Sequence, residues 1–351
     1  MERPRVLRRP AELAAAGLLE PERVAAIEAV TRRYALAVTP DLAGLIDRHD
    51  DADPIARQFL PDEAELETRP EERLDPIADE PFSPVKGIVH RYPDRVLLKP
   101  THTCAVYCRY CFRRETVGHG DGALTPGELD AALDYVRARP EIWEVILTGG
   151  DPLILSPRRL GEIVRALDAI PHLGSIRIHT RIPVADPERV TPALVEALAA
   201  DKAVWVVLHA NHPRELTPAS RAACDRLRAE GIPLLSQTVL LRRVNDDAET
   251  LEALMRGLVA MRVKPYYLHH PDLARGTARF RLPLEEGQAL AAELRRRASG
   301  LCQPSYVLDI PGGHGKVRVE ASQVRPCPGG GHLVTDRSGR EHPYPPPAAE
   351  E

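Results

Sequence analysis

From residue 95 to residue 298 the chain alternates short apolar runs with helical patterns, and this constrains its fold more than any other feature. The apolar runs are 96–99, 145–147, 176–179, 205–208, 234–241 and 266–269. Between them, apolar residues recur at helical spacing over 126–138, 157–169, 191–200, 218–230, 248–261 and 283–298. Four of these helices open on Thr125-Pro126, Ser156-Pro157, Thr191-Pro192 and Thr217-Pro218. A Thr or Ser oxygen caps the free N–H groups of a helix start, and Pro at the first helical position has no N–H to satisfy. Strand followed by helix, repeated, asks for a parallel sheet with crossover helices. Six such units fall short of the eight of a closed barrel. The pattern alone therefore allows a partial (β/α)6 barrel or a doubly wound sheet.

Residues 11–19 and 21–34 also carry helical spacing, whereas 50–85 are acidic, contain Pro and show little periodicity. The expected organisation is a helical extension and linker (or wrapping segment) over 1–85, a core over 86–300, a C-terminal segment over 301–335 and a disordered tail over 336–351. With 43% hydrophobic residues in 351, a sizeable core is within reach. A net charge of −4 with no basic face argues against nucleic acid as a partner. No apolar run is long enough to span a bilayer, and no signal-like core follows the N-terminus, so no membrane association and a cytoplasmic location are expected. Six cysteines do not make a disulfide framework in a chain this long, and free thiols suit a reducing compartment.

Three of those cysteines, Cys104, Cys108 and Cys111, fall in a C-x3-C-x2-C run that supplies three thiolates. Thiolates hold Fe–S clusters, and three ligands to a four-iron cube leave one iron open for chemistry. Tetrahedral zinc, completed by His102 or His119, is the other reading of the spacing. Gly149-Gly150-Asp151 follows the second apolar run. It reads as a plain turn, or as a close backbone approach to a ligand whose ammonium Asp151 would accept. Ile310-Pro311-Gly312-Gly313-His314-Gly315-Lys316 lacks P-loop spacing. It is either a flexible loop or a turn whose lysine forms a Schiff base with pyridoxal 5′-phosphate (PLP). Asp272 and Asp309 each follow an apolar run and can pair with a cationic substrate, though each also fits a cap or turn. Arg91, Arg95, Arg113 and Arg114 fit carboxylate or phosphate.

In this order, the pieces resemble the lysine 2,3-aminomutase family of radical S-adenosylmethionine (SAM) enzymes. The likeness covers residues 20–320 and rests on His90–Arg95, Cys104–Arg114, Thr148–Asp151, His179–Pro183, His209–Pro213, Gln237–Arg242, Pro265–Tyr267 and Asp309–Lys316. It implies a partial (β/α)6 radical SAM barrel with an N-terminal helical extension and a C-terminal segment carrying the PLP lysine. Cys104, Cys108 and Cys111 would hold a [4Fe–4S] cluster whose open iron takes SAM. Gly149, Gly150, Asp151, His209 and Gln237 would line the SAM site. Lys316 would bind PLP, with Arg91, Tyr92 and Arg95 at its phosphate. Arg113 would hold the substrate carboxylate, and Asp272 and Asp309 a side-chain ammonium.

The implied activity is conversion of L-lysine to β-lysine by an isomerase. An aminomutase for another amino acid, or one serving elongation factor P modification, is the near alternative. A non-catalytic Fe–S or zinc sensor is the distant one. Implied partners are the amino acid, a reducing donor such as flavodoxin or ferredoxin, and a second copy of the chain. Two departures stand out. His314 replaces a family glycine, where it would crowd PLP or substrate. Asp247 replaces a cysteine of the zinc site that joins subunits in longer members, and the tail holds only Cys327, so no such zinc is expected.

Overall fold

The computed structural model describes residues 5–119, 122–327, 330–336 and 338–345. Nine strands form one sheet in chain order: β1 (Ile88–Tyr92), β2 (Arg95–Thr101), β3 (Glu144–Gly149), β4 (Ser175–Thr180), β5 (Ala203–His209), β6 (Leu234–Val239), β7 (Val263–His269), β8 (Ser305–Ile310) and β9 (Gly315–Arg318). Strands β2 to β8 are parallel, and β1 and β9 are antiparallel edges. A doubly wound sheet would reverse its strand order at a switch point. This one never does, so of the two architectures open to the sequence the chain adopts the partial barrel. The six expected units are joined by a seventh parallel strand, β8. The two edges do not pair by ladder; instead the Lys316 N–H donates to the Tyr92 hydroxyl at 2.7 Å.

The four expected N-caps each accept a backbone N–H: Thr125 from Glu128, Ser156 from Arg159, Thr191 from Leu194 and Thr217 from Ser220. Helices Pro126–Arg137, Pro157–Asp168, Pro218–Ala229, Ala248–Ala260 and Leu284–Arg297 end within two residues of expectation. The helix expected over 191–200 is only Pro192–Glu196, because Leu198 and Ala199 tighten onto Val195 and Glu196 before the chain turns into β5. The one expected over 11–19 is Pro10–Ala15, ended at Gly17 with φ +66°. A left-handed residue of this kind is a common helix stop.

On the strands, the side chains turned toward the helices are the buried ones: Leu98, Leu147, Ile178, Val206 and Leu268 are at most 1% exposed. Fully burying each is worth about 1.5–3 kcal/mol. The alternate residues, Lys99, Arg177, His179, His209, Gln237 and His269, are only half-buried. They face an open lumen, and they are polar.

Residues 50–85 wrap rather than link. Leu42, Ile55 and Phe59 pack with Val106, between the first two motif cysteines. Glu65, fully buried, pairs with Arg109 at 2.6 Å, with Arg114 and with Arg279. At the other end, β10 (Val324–Pro326), β11 (His332–Thr335) and β12 (Glu341–Tyr344) form a small antiparallel sheet. Strand β12 lies where a disordered tail was expected. The Asp336 carboxylate accepts from the Ser338 and Arg340 N–H groups to turn the hairpin, and Arg325 grips Glu341 at 2.7 and 2.9 Å. Residues 346–351 of that tail lie outside the described residues. Among the described residues no helix is long and apolar enough to cross a membrane.

Candidate active site

The three cysteines lie on the loop that leaves β2. Other groups anchor that loop: the Tyr107 N–H donates to Ala37 O at 3.1 Å and the Arg109 N–H to Gln58 O at 2.8 Å. None of the three is in a disulfide. Burial, with Cys108 beside it, pushes Cys111 up to about 11; burial, then Asp151 and the other two cysteines, pushes Cys104 well above the usual thiol range. Only a bound cation would bring such thiols down to thiolates. Among the described residues no three His, Cys, Asp or Glu side chains converge on one ion. Tetrahedral zinc needs such a point, whereas a cubane offers each thiolate its own iron. The donor set fits the cluster.

The glycine turn after β3 is dictated by packing. A Cβ at Gly150 would sit 2.3 Å from Thr103 O, and Gly149 has φ +102°. The Gly150 and Asp151 N–H groups donate to Thr101 O and Thr103 O at 2.8 and 2.9 Å, which ties the turn to the cysteine loop. The Asp151 carboxylate, expected to meet an ammonium, accepts from Leu153 N–H at 3.0 Å, Thr180 Oγ1 at 2.7 Å and Arg181 N–H at 2.7 Å.

Facing the turn across the lumen are His209 and Gln237, from β5 and β6. Gln237 Nε2 is 3.4 Å from His179 Nδ1. The Nε2 atoms of His179, His209 and His269 are buried without a partner. Burial holds all three rings below the usual histidine range, His269 at about 4, so they are neutral. Three unsatisfied ring nitrogens at the ends of β4, β5 and β7 mark a space shaped for a polar ligand.

Lys316 and the two aspartates come together. Lys316 Nζ contacts the Asp309 carboxylate and lies 3.2 Å from His269 Nδ1. Asp272 makes no hydrogen bond or ion pair among the described residues; burial and the charge of Asp309 push it up to about 7. Arg91 and Arg113 also converge, on Asp79 at 3.1 and 2.8 Å, with Lys99 at 3.7 Å. Three cations around one carboxylate leave an excess of positive charge suited to an anion. Arg95 stands apart, stacked 3.8 Å over the Tyr92 ring and paired with Asp94. Arg114 is turned to Glu65, away from the lumen. His314 is exposed with its ring against Gly312, and Asp247 caps the helix Ala248–Ala260. The sequence reading missed Asp79, Lys99, His179 and His269. Asp79 lies in an aperiodic acidic stretch that offered no signal, next to Ala78 at φ +54°. The scarcity of lysine was the available clue to Lys99.

These features define a radical SAM enzyme: residues 98–254 match the model of the Radical SAM superfamily. The chain is 42% identical to the L-lysine 2,3-aminomutase of Fusobacterium nucleatum over 82% of its own length and 68% of that protein. It is 40% identical to the L-lysine 2,3-aminomutase of Acetoanaerobium sticklandii, covering 87% and 74%. Against the glutamate 2,3-aminomutase of Clostridioides difficile it is 37% identical, covering 83% and 68%. The chain belongs to the lysine 2,3-aminomutase family, whose members are isomerases that use a [4Fe–4S] cluster, SAM and PLP.

Proposed function

We propose that this enzyme moves the α-amino group of L-lysine to the β carbon, and the observation that carries the reading is the pair Asp272 and Asp309 beside Lys316. Lys316 is the PLP lysine. With its amine committed to PLP, Asp309 and Asp272 are left as two carboxylates without a cation. A lysine side-chain ammonium satisfies both, whereas the side chain of glutamate would be repelled. Cys104, Cys108 and Cys111 hold the cluster. Gly149, Gly150, Asp151, His209 and Gln237 serve SAM. Arg91, Tyr92 and Arg95 serve the PLP phosphate, and Arg113 the substrate carboxylate. When bound, cluster and SAM supply a hydrogen-abstracting radical, and PLP ties the substrate amine and spreads the unpaired electron.

The protein positions these groups, and its neutral histidines add no charge of their own to the lumen. In chain order, the segment before residue 86 clamps the cysteine loop, 86–300 supply most of the barrel, and 301–335 complete its sheet with β8 and β9 and present Lys316. The electron donor is a small reductant of the flavodoxin or ferredoxin kind, the location is the cytoplasm and the assembly is a homo-oligomer. The test is anaerobic reconstitution with iron, sulfide, PLP and SAM, with products from lysine, arginine, ornithine and glutamate compared. β-Lysine is expected. No turnover of lysine by the fully loaded protein would sink the reading. Lys316→Ala should lose the absorbance of bound PLP while keeping its iron.

A further inference from the structure

Arg181, at the end of β4, is aimed at one of the three motif cysteines. Its Nη1 lies 3.6 Å from Cys108 Sγ and also donates to the Tyr110 hydroxyl. Its Nη2 donates to Gln58 Oε1 at 3.0 Å and to the Glu215 carboxylate. Glu215 is fully buried and held by the Asn211 and His212 N–H groups, both at 2.9 Å. The Arg181 N–H is bound to Asp151 at 2.7 Å. The Arg181 side chain, 6% exposed, is thus fixed from the helix Pro54–Phe59, the cysteine loop and the loop after β5, and its backbone from the turn after β3. Among the described residues no other motif cysteine accepts from a guanidinium. Hydrogen bonds to cluster sulfurs help set reduction potential. A fixed positive charge in a low-dielectric site also favours an added electron.

We propose that Arg181, acting through Cys108, raises the one-electron reduction potential of the bound cluster. This makes Arg181 a positioning residue for electron uptake, and it rests on the reading of Cys104, Cys108 and Cys111 as cluster ligands. The test uses the full chain reconstituted with iron and sulfide, without SAM, PLP or substrate. The cluster is reduced with dithionite through mediators, and the midpoint potential is read from the paramagnetic signal of the reduced state. Arg181→Met alone would strand the buried Glu215 carboxylate, so it is paired with Glu215→Gln and compared with Glu215→Gln alone; Arg181→Lys is the conservative variant.

The double variant should titrate at a more negative potential than Glu215→Gln, with Arg181→Lys between it and the wild type. Equal potentials in all variants overturn the inference, as does loss of the cluster from every Arg181 variant, which makes the residue structural. A wild-type chain with no reducible signal instead overturns the cluster reading itself.

Discussion

Asp272 is a carboxyl that the fold leaves without a cation. Burial first, and Asp309 second, raise it to about 7. The sign follows from linkage: a raised carboxyl favours folding while protonated, and that contribution is lost as pH climbs from the ordinary carboxylate range, about 4, through 7. Asp272→Asn should therefore melt higher than the wild type at pH 8, with the gap closing toward pH 4. Catalysis should move the other way. The variant loses a charge-assisted partner for the substrate ammonium, so KM for lysine should rise about tenfold or more, about 1.4 kcal/mol. In the wild type that KM should fall as pH rises through 7, and the variant should show no such slope. A residue that costs stability and serves binding is common at active sites.

Two elements hold the cysteine loop, and each can be broken by one change. A methyl group at Gly150 cannot fit 2.3 Å from Thr103 O, so the turn or the loop must shift. Gly150→Ala should lower iron content after reconstitution while barely changing the far-ultraviolet circular dichroism. Glu65 neutralises buried Arg109 and Arg114 at once. Stranding buried charges typically costs about 3–5 kcal/mol. Glu65→Gln should lose that much in denaturant unfolding, and a loss under 1 kcal/mol would show that the clamp contributes little.

At the scale of the molecule, the barrel is open and its edges are joined by a side chain. Tyr92 and Lys316, 224 residues apart, meet through the Tyr92 hydroxyl. Removing that acceptor with Tyr92→Phe should cost about 1 kcal/mol of stability. The same change should weaken PLP retention measurably in equilibrium dialysis, because the lysine turn loses its tie to β1. Unchanged retention would mean that the glycine turn holds Lys316 unaided. A hollow of about 720 Å³ near Trp205 and Ile232 contains none of the residues proposed for the site.

Much of this was legible along the chain because it is local. The strand–helix alternation, the Thr-Pro and Ser-Pro caps, the cysteine spacing and the lysine turn each lie within a few residues, where backbone sterics and capping act. They determined the α/β class and singled out the three cysteines and the lysine proposed to hold the cluster and PLP, while the pattern alone left barrel and doubly wound sheet open. Contacts between distant segments decided the rest. Asp79 reaches Arg91 and Arg113 only because residues 50–85 wrap the barrel. Asp151 is drawn inward by Thr180 and Arg181, and Arg181 meets Cys108 only once β2 and β4 share a sheet. The orphaned nitrogens of His179, His209 and His269 come to line one lumen only when β4, β5 and β7 take their places in the same sheet. Periodicity records which residues are buried, but a polar lumen has no period of its own, and only closing the sheet could assemble it.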